Sequence, residues 1–304
     1  MKRSLLALAL LVSVAAPAAW AATPINETRP LDPRGRIEIE NLKGRIQVRT
    51  WNKPEVHIGG SLGKGVEKLV IEGDEGDLTV RVEYPRHSGG WGGDNKTEPT
   101  DLILNVPVLA DLDIESVSAD VDVVGIAGTS LDIDSVSGDV TVAGAPQESS
   151  VESVSGDLNL TLNSREVSAE SVSGDIHLQG RMDGEMHVET VSGQIDANSK
   201  GQRLRQVSVG TVSGDADVRV ALDRGGNLKA ETVSGDLKIR LPKSVSARAT
   251  GESFSGDLSA TGLSESEIER PKYGPGSSFE HRYGNGDGVI RIETFSGDAA
   301  LILE

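Results

Sequence analysis

No cysteine occurs in the 304 residues, which excludes disulfides, thiolate catalysis and cysteine-ligated zinc. Aromatics are nearly as scarce. Three Phe, three Tyr and three Trp cannot fill a core, so any core must be aliphatic. Bases are short as well: 30 Lys and Arg stand against 47 Asp and Glu, a formal charge of −17. That balance argues against general binding to nucleic acid or anionic lipid and favours metal cations, basic partners or plain solubility. Long apolar runs are missing with one exception, Leu5 to Val14, which follows Met1-Lys2-Arg3 and precedes Ala19-Trp20-Ala21. The run is too short to span a bilayer comfortably. Its basic start and small-residue end read as a secretory signal peptide over residues 1–21. The expectation is an exported chain, periplasmic or at the cell surface, with no transmembrane segment after cleavage.

What the sequence has in abundance is a repeat. A five-residue motif occurs nine times, first as Ser116-Val117-Ser118-Ala119-Asp120, then as Ser135-Val136-Ser137-Gly138-Asp139, and last as Thr294-Phe295-Ser296-Gly297-Asp298. Successive copies end 19, 18, 18, 19, 21, 21, 21 and 41 residues apart, a period that marks a solenoid. Around each copy apolar residues alternate with polar ones, as in Leu131, Ile133, Val140 and Val142, which is the strand signature. The alternation slips at the motif, between Ile133 and Val136, so a bend falls there and the glycine suits it. Copies related by translation stack most simply in parallel. The predicted fold is therefore all-β, a single-domain parallel β-solenoid with coils of about 18–21 residues, right-handed by the crossover rule. An antiparallel meander is the competing architecture, and one motif per period does not suggest it. Val136, Val154, Val172, Val191, Val212 and Val233 are expected as one interior ladder, continued by Phe254 and Phe295.

The chain then divides into a signal peptide (1–21), a linker (22–30), divergent N-terminal coils forming a cap (31–109), regular coils (110–262), an inserted loop (263–288) and a final coil (289–304). The recurrent Val-Ser-Gly-Asp coils after a leader resemble the bacterial putative-adhesin family, domain of unknown function 4097. So do Ile37-Glu38-Ile39-Glu40-Asn41-Leu42-Lys43-Gly44-Arg45 and Asn105-Val106-Pro107. The resemblance covers roughly residues 31 to 304. It implies a β-strand-repeat architecture and an adhesin-like role, and it supplies no catalytic residues.

Two lines of acids recur with the motif. One ends it, at Asp120, Asp139 and their equivalents; the other precedes it, at Glu115, Asp134, Glu152, Glu170, Glu189, Glu231, Glu252 and Glu293. Calcium takes several oxygen ligands, so Glu115, Asp120, Asp134 and Asp139 are the candidate metal set and Ca2+ the candidate ion. The plainer reading has the aspartates capping backbone amides at the bend. Between Asp101 and Ser164 there are twelve acids and no Lys or Arg, a concentrated anionic stretch. An enzyme, as in polysaccharide-active β-helices, would pair carboxylates from neighbouring coils. Here, however, the acids are the repeat itself, and His57, His87, His177, His187 and His281 show no ligand spacing. Aromatics near the irregular segments, Tyr84, Trp91, Tyr273, Phe279 and Tyr283, are the candidate partner-binding residues. The functional expectation is a non-enzymatic, adhesin-like envelope or surface protein without a cofactor. Its partner would be an envelope protein or polysaccharide, not nucleic acid. A polysaccharide lyase or hydrolase and a calcium-binding scaffold are the alternatives. The strand at 299–304 should end the stack as an open edge, able to pair with a second copy.

Overall fold

The computed structural model describes residues 23–85, 97–272 and 275–304. The expected signal peptide and two aromatic candidates, Trp91 and Tyr273, lie outside the described residues. Within them, 22 strands join one continuous sheet, and the one helical element is a single 3-10 turn, Glu265–Glu267. No described helix is long and apolar enough to cross a membrane.

Alternation builds the coil. In Ser130–Ser135, Leu131 and Ile133 are buried while Asp132 and Asp134 face out; in Val140–Gly144, Val140 and Val142 are buried. These strands form two faces of a flattened coil, and both inward rows belong to one aliphatic core. Stacking is parallel and in register: Ile133 lies beside Val151, Val151 beside Ala169, and Ala169 beside Val188. The second face stacks Val121, Val140, Leu158, Ile176 and Ile195 in the same way. Each of the larger aliphatics contributes about 1.5–3 kcal/mol by burial, so a β-solenoid-like stack dispenses with aromatics.

The valine ladder of the motif is not in the core. Val136, Val154, Val172, Val191, Val212 and Val233, with Phe254 and Phe295, are 43–55% exposed. Alternation continues one residue further than expected: Ser135 points in, Val136 and Ser137 both point out, and Gly138 points in. The inward place goes to the hydroxyl because the corner satisfies it in all the regular coils except those of Thr232 and Ser253. Gly156 N–H donates to Ser153 Oγ (3.0 Å), Gly174 N–H to Ser171 Oγ (2.8 Å) and Gly193 N–H to Thr190 Oγ1 (3.0 Å). A buried hydroxyl bonded within its own turn costs little.

Three other expectations change at the ends. Residues 23–30, read as linker, hold the strand Thr23–Pro30, which buries Ile25 and pairs antiparallel with Glu55–Leu62. The segment 263–288, read as a loop, contains the strand Ser277–Tyr283, paired antiparallel with Ala247–Ser255. The last strand in sequence, Ala299–Leu303, is no edge. It lies between Leu237–Leu241 and Leu258–Ala260, and its companion Gly288–Ser296 lies between Ala216–Thr232 and Ala247–Ser255. The final coil is thus slotted inside the stack, and the 247–260 coil, covered on one face by Ser277–Tyr283, ends it. The expected pairing of two copies through 299–304 has no open strand to use.

Candidate functional site

Where each coil turns its corner, the last outward residue of the first face and the first outward residue of the corner stand two positions apart. Parallel register multiplies the pair into two rows. One row is acidic: Glu40, Glu115, Asp134, Glu152, Glu170 and Glu189, then Gly210, then Glu231, Glu293 and Glu252. The other is apolar: Leu42, Val117, Val136, Val154, Val172, Val191, Val212, Val233, Phe295 and Phe254. Both rows line one groove of about 1530 Å³ that runs from the Glu40–Leu42 coil to the Glu252–Phe254 coil. With coils spaced about 4.8 Å apart, the groove is about 43 Å long. Phe254 and Phe295 close its C-terminal end as a parallel stack, centroids 4.7 Å apart, beside Pro271 and Ser277.

The acidic row is not uniform. Arg81 lies 3.5 Å from Glu40, His187 lies 3.5 Å from both Glu170 and Glu189, and Lys229 and Arg291 pair with Glu231 and Glu293 at 2.8 and 3.7 Å. Glu115, Asp134 and Glu152, at the heart of the base-free stretch, have no ion-pair partner among the described residues. Partial burial, and then the neighbouring Glu40 and Asp113, push the Glu115 carboxyl up from its ordinary pKa. Burial followed by Asp134 and Glu170 does the same to Glu152.

The candidate metal residues separate into two lines. Glu115 and Asp134 sit before the corner, in the groove. Asp120 and Asp139 sit after it and cap the neighbouring coil. Asp120 Oδ1 accepts from Asp139 N–H (3.3 Å), Asp139 from Asp157 (3.1 Å) and Asp157 from Asp175 (3.0 Å). Among the described residues no three His, Asp or Glu side chains are grouped to share an ion. The aromatic candidates also resolve differently. Phe279 and Tyr283 are buried at 5% and 7% exposure. The Phe279 ring occupies the space a side chain at Gly251 would need, and Tyr283 Oη donates to Thr261 O (2.8 Å). They cover the last coil because that coil has an open edge to cover. Tyr84 is half-buried, its hydroxyl donating to Asn41 Oδ1 (2.8 Å), and burial raises its pKa. None of the three offers a free ring to a partner. The acidic half of the groove was legible in the sequence. The apolar half was missed, although a row of Val and Phe at one fixed place in every coil was its signal.

The profile of the Toastrack DUF4097 family matches residues 40–226 and 206–301. No curated protein matches the chain significantly. Among solved structures, a putative adhesin from Parabacteroides merdae aligns with a TM-score of 0.55 at 13% identity, over 92% of this chain and 96% of that one. A putative lipid binding protein from Parabacteroides distasonis gives 0.49 at 10% identity, over 92% and 97%. A putative adhesin from Bacteroides fragilis gives 0.44 at 11%, over 93% and 98%. The likeness to the Parabacteroides merdae protein is one of fold.

Proposed function

The chain belongs to the Toastrack DUF4097 family, and on that premise we propose that it is an exported, non-enzymatic surface-interaction protein that holds its partner along the corner groove. One observation carries this reading. Ten large apolar side chains, from Leu42 to Phe254, stay about half exposed in a single unbroken row. An exposed apolar row of that length is a feature soluble surfaces avoid unless it serves contact. Every coil presents nearly the same acid, hydroxyl and valine. That suits a surface that adds many small contacts and does not suit one reactive centre, which would break the repeat. The Parabacteroides merdae protein of the same fold is described as a putative adhesin, in keeping with this role. The winding is taken as right-handed, as crossovers between parallel strands overwhelmingly are.

The test is capture from cell-envelope extract by the immobilised chain, compared with a variant carrying Val136→Ser, Val154→Ser and Val172→Ser, in calcium and in chelator. The expected result is capture that the variant loses and that chelator leaves intact. Capture that survives the three substitutions removes the groove from the function. Capture that needs calcium favours the ion-binding scaffold instead.

A further inference from the structure

We propose that the groove binds a cationic amphipathic α-helix of a partner polypeptide, with its basic row on Glu115, Asp134 and Glu152 and its apolar row on Val117, Val136 and Val154. This rests on the groove being the interaction surface and adds what occupies it. Charge complementarity is the first argument. These three carboxylates lack an ion-pair partner among the described residues, within a stretch of twelve acids and no Lys or Arg, and the valines run beside them in the same groove. An occupant must therefore present positive charge along one line and apolar surface along the next.

The repeat distance selects the backbone. Rungs recur about every 4.8 Å, and same-side residues of an extended strand every 6.6–6.8 Å. A helix turn rises about 5.4 Å. Across three rungs a helix laid along the groove drifts by about 1.2 Å, which lysine and arginine stems absorb. A strand drifts by almost 4 Å over the same rungs. One turn per coil thus keeps both rows in step. An anionic lipid surface would be repelled by the acid row. A second copy of this chain would bury carboxylates with no opposite charge to meet them.

The probe is a fluorescein-labelled Leu/Lys helix of about 18 residues, roughly five turns, titrated with the full chain and followed by anisotropy. Binding is expected to weaken roughly tenfold when Glu115→Gln, Asp134→Asn and Glu152→Gln are combined, as for loss of close charge pairs. It should weaken to a similar degree, roughly tenfold, in Val136→Ser with Val154→Ser. Acetylating the peptide lysines, which changes nothing in the protein, should abolish it. A peptide of the same composition with Leu and Lys strictly alternating should bind more weakly than the helix. Unchanged affinity in either groove variant overturns the proposal. So does equal binding of the alternating peptide, self-association of the chain through the groove, or uptake of phosphatidylglycerol vesicles in preference to the helix. If the valine variant loses capture from envelope extract yet no helix binding is seen, the occupant is wrong and the interaction surface stands. If capture and peptide binding both ignore the valines, both readings fail.

Discussion

At Gly174 a methyl group would overlap the carbonyl oxygen of Gly156, and at Gly193 it would overlap that of Gly174. Neither glycine has a positive φ, so the requirement is not the bend itself. It is the closeness of one corner to the next, set by coils about 4.8 Å apart. Gly174→Ala should therefore destabilise the chain by about 3 kcal/mol, the upper range for overpacking. Gly76→Ala, whose nearest neighbour is the Asp74 carboxylate at 3.4 Å, should be close to neutral. Urea unfolding of the two variants checks this, and equal losses would return the glycine to a role in the bend alone. The sequence made the glycine plain but not its reason, because distance between coils is not written in any one coil. It misled on valine for a similar cause. Apolarity places Val136 inside when each residue is judged alone. The neighbouring position, which is Ser at 135, 153 and 171 and Thr at 190, 211 and 232, carried the better signal. A site that admits only hydroxyls in coil after coil is one where the corner bonds the hydroxyl, as it does in every regular coil but those of Thr232 and Ser253.

The acidic row behaves as an element because its members face one another across successive strands. Glu152 stands beside Asp134 and Glu170, and its carboxyl is pushed up first by burial and then by those two neighbours. A carboxyl raised in the folded state binds its proton more readily there than in the unfolded chain. Its ionised form consequently works against folding at neutral pH, and stability recovers as the pH falls through the folded value. Glu152→Gln should raise the melting temperature at pH 7 by on the order of 1 °C, the scale of a surface substitution. The gain should close once the pH drops below the ordinary carboxylate range. Calorimetry of both proteins from about pH 7 to about pH 3, below the ordinary carboxylate range, decides it, and a gain that widens on acidification contradicts the assignment. This row was legible in the sequence, as were the strands that carry it, because every coil repeats the same alternation. The antiparallel strands Thr23–Pro30 and Ser277–Tyr283 were not. They bury one and three side chains respectively and take their pairing from an edge that only the assembled stack provides.

At the scale of the molecule, chain order and spatial order part company. Asp236 Oδ1 accepts from Asp298 N–H (2.9 Å), and Asp298 Oδ1 from Asp257 N–H (2.8 Å). The aspartate ladder thus runs through the last coil before it reaches the one that precedes it in sequence. The 41-residue step between the final motifs marks this crossing: the chain passes beyond the stack's next place, builds the end coil and its covering strand, and returns to fill the gap. The 247–260 coil has no neighbour to dock on until residues 288–303 are in place, so the end of the solenoid closes through non-local contacts that form late. In a stack where each coil touches only its neighbours, a lesion spreads by adjacency. Ile292, buried in the inserted coil, touches both sides of that gap through register with Ala230 and Gly251. Ile292→Ala should cost about 2–5 kcal/mol locally. Hydrogen exchange should quicken in Leu237–Leu241 on one side and Ala247–Ser255 on the other, while Asp111–Val124 and Leu158–Leu162 keep their protection. Faster exchange confined to 288–303 would mean that the last coil sits at the end of the stack after all. Faster exchange everywhere would mean that the coils unfold as one unit, and then the groove could not hold its N-terminal half rigid while its C-terminal end opens.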